Sequence, residues 1–441
     1  MLPVPKPVEA SALEADAAGR EMFELIEALY PICRSITGDG VRQTLRLLAE
    51  RFPLMIHEVP TGTQVLDWTV PKEWNIRDAY VKDSRGNRVV DFRKSNLHVV
   101  SYSVPIRRRV PIEELREHLH TLPEHPDWIP YRTSYYTENW GFCLNYTQYL
   151  ALREKEYDVL IDSSLAEGRL TYGELLLAGE TTDEVLISCH VCHPSLCNDN
   201  LSGIAVAALL AEHLGRTRRR YSYRFLFVPG TIGALTWLSA HEAELHKIKH
   251  GLVLANLGDR GPFTYKKSRR GNAEVDRAMA HVLRHCGEDY HVAEFSPYGY
   301  DERQYCSPGF DLPVGCFMRT PEQTRPEYHT SADDLTFIRP ERLAASLENC
   351  KSLVAIFEQN AAYLNTHPKG EPQLGRRGIY RKLGGPDLET GNLALLWMLS
   401  FSDGRSSVLD IAERSGLPFR TVQTAATTLL EHGLLTQLAE S

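Results

Sequence analysis

One stretch of this chain concentrates side chains that hold metal ions. Residues 189–203 supply two imidazoles (His190 and His193), three thiols (Cys189, Cys192 and Cys197) and one carboxylate, Asp199. Neutral imidazole and carboxylate are the usual ligands of a catalytic zinc ion, which keeps one position open for water or substrate. Cys189 and Cys192 also have the spacing of half a thiolate zinc knuckle. No second such pair follows nearby, so a closed thiolate site is the weaker reading. Cys197 reads as a small buried residue.

These groups need a rigid frame. The run Glu184-Val185-Leu186-Ile187-Ser188 predicts a buried strand entering the cluster, and Ile204–Leu210 predicts a helix leaving it. Ligands at a strand end suit open α/β enzymes, whose sites lie at the carboxyl ends of strands. Strands are expected at 158–162, 173–178, 184–190, 222–228 and 251–257, with helices at 201–214, 233–247 and 272–286. That alternation predicts a mixed α/β sheet flanked by helices.

Upstream, residues 10–31 carry Leu13, Met22, Phe23, Ile26 and Leu29 at helical spacing, and a second helix follows Gly40 with Val41, Leu45, Leu48 and Phe52. The composition then changes. Short β-like runs at 78–81, 88–92 and 97–102, separated by turn residues, predict a β-rich domain over 57–149. The α/β domain is therefore expected in two pieces, 1–56 and 150–365. Tyr135, Tyr136 and Trp140 are assigned to the core of the insert. Residues 366–386, rich in Gly and Pro, read as a linker. Residues 387–441 carry three short amphipathic helices, marked by Leu393, Leu396 and Leu399, by Val408, Ile411 and Ala412, and by Val422, Ala425 and Leu429. His432-Gly433-Leu434-Leu435 closes them in the manner of a winged helix.

A chain of 441 residues exceeds one ordinary core, so two or three domains are expected. Its hydrophobic fraction of 43% and charged fraction of 24% are those of a globular protein. A net charge of −8 argues against nucleic acid or anionic membrane as partner. In the tail only Arg405, Arg414 and Arg420 stand against Asp387, Glu389, Asp403, Asp410, Glu413, Glu431 and Glu440, the wrong balance for reading DNA. No apolar signal region precedes Ala18, and no window reaches membrane-spanning length. Nine cysteines, an odd count, point to a reducing cytoplasm. The expected partner is a small molecule or short peptide; a homo-oligomer is left open.

Four places then line up in order: His190; Asp199-Asn200-Leu201-Ser202-Gly203; Asn256-Leu257-Gly258-Asp259; and Tyr328-His329-Thr330-Ser331-Ala332-Asp333. This series resembles the zinc aminopeptidases of the bacterial leucyl aminopeptidase type, a superfamily that also holds glutaminyl cyclases. The resemblance implies one or two zinc ions, with His190, bridging Asp199, Asp259 and His329 as ligands. His193 is a further candidate ligand, or caps the following helix. The runs Cys192–Leu196, Asp301–Gly309 and Pro326–Ser331 are similar to a bacterial aminopeptidase-like family associated with polysaccharide or secondary-metabolite gene clusters. Its members carry an inserted β-domain and a winged-helix tail. That resemblance places Asp301, Glu302, Arg303 and Tyr305 on the substrate loop. Tyr328 is read as lining the site or as core, and Arg325 as holding a substrate carboxylate or phosphate or as solvated.

Two departures bear on chemistry. Cys192 stands where the aminopeptidases have an Asp that orients the first His. Gly230 stands where they carry a Glu as general base, and Thr231 where they carry a second ligand. Glycine can take no proton. The resemblance implies a metal-dependent amide hydrolase, an aminopeptidase or N-acyl amidase, with Asp301 or Glu302 meeting the substrate amine. Gly230 keeps two alternatives open: a cyclase or acyl transferase, and a pseudo-enzyme that binds without turnover.

Overall fold

The computed structural model describes residues 12–321, 324–379 and 386–438. The expected start of the first helix at residue 10 and the linker segment 380–385 lie outside the described residues. The chain divides into two compact units. One runs to Val275 and resumes over His291–Leu347; the other comprises Asp276–Tyr290 and the chain from Glu348 onward.

The first unit is organised by an eight-stranded mixed sheet. With strands numbered in chain order as β1 (Met55–Pro60), β2 (Glu73–Lys82), β3 (Arg88–Asp91), β4 (Ile106–Pro111), β5 (Glu156–Ala166), β6 (Arg169–Leu177), β7 (Glu184–His190), β8 (Ser222–Val228), β9 (Ile248–Leu254), β10 (Phe263–Lys266), β11 (Tyr290–Ala293) and β12 (Val314–Met318), its order is β1-β6-β8-β7-β9-β12-β10-β11. The centre is parallel: β7 pairs with β8 and β9, and β9 with β12. Every residue of β7 and β8 is buried, as strands covered on both faces must be. Helices α1 (Ala12–Leu29), α2 (Asp39–Ala49), α3 (Gly203–Gly215) and α4 (Ile232–His241) belong to the same unit. Buried Arg224 on β8 makes a two-pronged bond to Glu184 on β7, at 2.6 and 2.8 Å, and a further ion pair with Glu174 on β6. This ties three strands together where their backbones already pair.

Strand pairing moves the expected edges of the insert. β1 lies along β6 in the main sheet. β5 pairs with β2 and β4 in a second, four-stranded sheet of order β3-β2-β5-β4. The insert therefore extends beyond 149 to take in β5. The reason is visible in the side chains: Tyr157, Val159, Ile161 and Ser163 are buried and alternate with wetter residues. That is the pattern of an antiparallel strand with one solvated face. The 97–102 run is not a strand. Ser95 caps a single turn at Asn96–His98, and only isolated bridges at Val99 and Ser101 follow. Nor does the insert own a private core. Trp74, Val81, Val110, Phe142 and Val159 form one apolar cluster with Ile36, Cys192 and Ile232 of the α/β part. Tyr135 and Trp140 pack on it, whereas Tyr136 is 51% exposed.

In the second unit β13 (Ala362–Asn365) is the central strand between β14 (Asp403–Ser407) and β15 (Leu435–Gln437). The winged fold thus begins at residue 362, upstream of the expected linker, because its middle strand does. Helices at Pro386–Phe401, Val408–Ser415 and Phe419–Glu431 complete it. The first buries Ala394, Leu395, Met398 and Leu399 and leaves Leu393 exposed. Ser407 and Asp410 form a capping box on the second, and Gly416, at φ 71°, ends it. Among the described residues no helix is long and apolar enough to cross a membrane.

Candidate metal centre

His190 is the last residue of β7, so the strand aims it past the sheet edge. The chain then turns through Val191–Leu196 into a wide helical turn, Cys197–Ser202, that presents Asp199. The Asp199 side chain is fully buried. Its Oδ1 lies 2.8 Å from His190 Nε2; its Oδ2 lies 3.1 Å from His329 Nε2 and 3.7 Å from His193 Nε2. His190, His193 and Asp199 offer ligand atoms that all lie within 4.8 Å of one another. Asp199 Oδ2 and His329 Nε2 are buried and make no hydrogen bond of proper geometry among the described residues. Two such orphans facing each other are costly unless a cation satisfies both. The donor set, imidazole nitrogen and carboxylate oxygen, fits zinc. Burial would push Asp199 up, but His193, His190 and His329 outweigh it and hold the carboxyl well below the usual range. Burial lowers His193 to about 3, which keeps it in the neutral form a metal requires.

The ligand turn is held by groups that motif reading does not single out. Asp333 is fully buried, and its two oxygens accept the backbone N–H groups of Asn198 at 2.6 Å and Asp199 at 3.0 Å. Asn200 donates to the Leu254 carbonyl and accepts from Asn256 N–H, joining the turn to the end of β9. Gly203 is required here by close approach. A Cβ on it would lie 2.5 Å from the Leu254 carbonyl oxygen and 2.4 Å from the Asn200 side chain. Asp259 does not join the metal group. Its oxygens accept from Asn198 Nδ2 at 2.8 Å, Gly261 N–H at 2.7 Å and Thr320 Oγ1 at 2.6 Å, so it is spent on the frame. Asn256, at the end of β9, is the nearer neighbour of the site. It binds Tyr300, whose ring stacks on His190 at 5.2 Å, and accepts from Arg325 at 2.7 Å.

Gly230 and Asp301 are brought together. A Cβ on Gly230 would sit 3.2 Å from His190 Cβ and 3.3 and 3.4 Å from the two Asp301 oxygens. Gly230 has no left-handed φ, so its backbone does not demand glycine. Asp301 thus borders the space a Glu at 230 would fill. Burial raises its carboxyl to about 6, against the pull of His190 and Arg303. Arg303 reaches toward Thr231 at 3.4 Å. Glu302 and Tyr305 are corrections to the substrate loop. Glu302 is fully buried and paired with Lys266, and Tyr305 is fully buried in the core with its hydroxyl 2.9 Å from Ser188. Both sit on the one-turn helix Glu302–Tyr305, which Asp301 directly precedes. Tyr328 stacks on His329 at 3.9 Å, and Cys192 is a buried thiol pushed up to about 12, unsuited to act as a thiolate.

The insert supplies one wall. Tyr131 N–H donates to the His329 carbonyl at 2.7 Å, and Ile129 exchanges bonds with Ser331 at 2.8 and 2.9 Å. The Tyr131 ring stands edge-on to His193 at 5.4 Å and His329 at 5.1 Å, and its hydroxyl meets that of Tyr135 at 3.0 Å.

Residues 23–360 match the family model described as a domain of unknown function, DUF4910. The chain belongs to this family. Residues 361–437 match a winged helix-turn-helix model, which agrees with a fold beginning at β13. A Clostridium acetobutylicum relative, named for polysaccharide biosynthesis and an aminopeptidase-like domain, is 51% identical over 418 residues, 95% of this chain and 96% of that protein. The crystal structure of a candidate peptidase from Clostridium acetobutylicum aligns with TM-score 0.93 and 48% identity, over 97% of this chain and 98% of that one. The Bacillus subtilis zinc aminopeptidase aligns at TM-score 0.56 and 13% identity, over 79% and 96%. A peptidase M28 precursor from Shewanella amazonensis aligns at 0.53 and 15%, over 78% and 96%. The DUF4910 chain therefore has an aminopeptidase-like α/β fold with a winged-helix domain at its C-terminal end.

Proposed function

We propose that this protein is a zinc-dependent enzyme acting on an amide bond of a small molecule or short peptide. The observation that carries the reading is the Asp199 carboxylate, buried among three imidazoles with one oxygen and the His329 Nε2 left without partners. His190, Asp199 and His329 would hold the ion, with His193 completing the set. Zinc bound there would polarise a carbonyl and acidify water. The chain's own residues do the remainder. Asp301 accepts and returns the proton in place of the missing Glu, since its oxygens flank the Gly230 position. Tyr131 and Tyr328 pack against His329 and keep bulk water from one side. His329, whose side chain is 34% exposed, marks the open side where substrate enters.

Gly230 favours a second reading, transfer of the acyl group to an amine of the substrate. That attack needs less help from a base when the nucleophile is already positioned. The test combines metal analysis with product mass spectrometry in labelled water. Protein purified without chelator should hold zinc, and Asp199→Ala should lose it. Label in the released acid supports hydrolysis; turnover without label supports transfer. A zinc-loaded protein inert across aminoacyl and N-acyl amides would refute both and leave a binding role.

A further inference from the structure

Arg325 lies four residues before His329 and is buried, with its side chain only 3% exposed. One guanidinium nitrogen, Nη2, donates to Asn256 Oδ1 at 2.7 Å. The other two, Nε and Nη1, are buried and have no hydrogen-bond partner among the described residues. Among the described residues the carboxylate paired with it is Asp333, 3.9 Å away, and both of its oxygens already accept backbone N–H groups. The rings of Tyr328 and Phe337 lie 5.6 and 5.4 Å from the guanidinium and hold it as a cation–π pair. Arg325 is also tied to the centre itself, because Asn256 links it to Tyr300, which stacks on His190.

A buried guanidinium does not give up its charge, and leaving charged donors unmatched is expensive. The structural alternative, a simple ion pair with Asp333, leaves Nε and Nη1 unexplained. We infer that Arg325 receives a carboxylate of the substrate beside the metal centre, so that this protein acts on amides of acids: N-acyl amino acids or short peptides ending in a free carboxylate. A guanidinium edge matches the two oxygens of a carboxylate. A phosphate dianion fits less well, since Asp199, Asp259 and Asp333 all lie close enough to act on Arg325. The inference rests on the amide reading above and narrows its substrate class.

Matched N-acetyl amino acids and their C-terminal carboxamides test it, with binding to zinc-loaded protein followed by calorimetry. Wild type should prefer the acids by about tenfold to a hundredfold, the worth of a charge-assisted bond. Arg325→Lys should weaken that preference and Arg325→Met should abolish it, with zinc content unchanged. An acid that merely ligated zinc would keep its preference in Arg325→Met, and that result overturns the inference. Equal binding of acids and carboxamides by wild type overturns it as well, without needing a folded variant. Stronger binding of O-phosphoethanolamine than of any carboxylate would reassign the site to phosphoryl groups and overturn it too. Loss of zinc binding in the wild type would instead count against the amide reading, which separates the two failures.

Discussion

Asp333→Asn is the sharpest test of how the metal centre is built. The side chain touches no metal ligand atom; it acts through the amides of Asn198 and Asp199, at 2.6 and 3.0 Å. Asparagine keeps the shape and one acceptor but turns an N–H group toward one of those amides. One buried donor then loses its partner, at a cost of about 1–3 kcal/mol. Part of that loss should appear as stability, at roughly 2–4 °C of melting temperature per kcal/mol for a unit this large. The rest should appear in the metal, because Asp199 is no longer held in place. Changes to residues that orient metal ligands weaken affinity about 10–100-fold, or ~1.4–2.8 kcal/mol. Competition for zinc against a chromophoric chelator measures this directly, and a thermal melt of the same sample measures the stability part. Asp334→Asn is the control, because the Asp334 side chain hydrogen-bonds to Thr336 in its own turn and not to the amides of the ligand turn. Wild-type zinc affinity in Asp333→Asn, or equal losses in it and Asp334→Asn, would refute this role for Asp333.

Gly230→Glu brings its Cβ to a tight 3.2–3.4 Å from His190 Cβ and the Asp301 oxygens, so the Asp301 side chain must give by a few tenths of an ångström; the variant should keep zinc and gain about 10²–10⁴-fold in amidase turnover, and a stable, zinc-loaded variant with no gain would count against a lost base at 230. In the second unit His281 accepts the Phe419 N–H at 3.0 Å, and burial, with His285 and Arg284, lowers its pKa from 6.5 to about 4. A depressed His stabilises the fold above pH 6.5 and loses that contribution as pH falls toward about 4, so melting should drop across this window and His281→Gln should flatten the drop. The chain should show no saturable duplex binding at physiological salt by fluorescence anisotropy, because the helical tail from residue 387 onward carries seven acids against only Arg405, Arg414 and Arg420.

The sequence was most informative where one physical pattern dominated. β7 and β8 fall at the residues expected, 184–190 and 222–228, because an unbroken apolar run has few alternatives. The ligand turn is legible because His190, His193 and Asp199 are close in sequence as well as in space. The family resemblance placed Glu302 and Tyr305 with Asp301 on the substrate loop, but each is buried and already committed, Glu302 to Lys266 and Tyr305 to Ser188. Asp259 looked like a ligand because a carboxylate follows a strand at nearly the right spacing, and only its hydrogen bonds show that both oxygens are spent. Asp333 stood inside a quoted motif yet carried no signal, since backbone amides leave no trace in side-chain chemistry. Tyr131 could not be read at all: the strap that positions it meets the His329 loop across 202 residues of sequence.

That strap sets the order in which the centre can come into being. Residues 129–131 leave the ribosome long before the 329–331 segment they grip, and the loop carrying His329 has its seat only once the insert has closed on its own sheet. Closing so distant a contact is among the slower acts of folding. A nascent chain would therefore carry His190, His193 and Asp199 well before His329 arrives, and with His329 comes Asp333, whose oxygens seat the Asn198 and Asp199 amides, so one late segment both steadies the turn and completes the site. Trimming the insert to reach a minimal aminopeptidase fold would leave the chain in that same unfinished condition permanently.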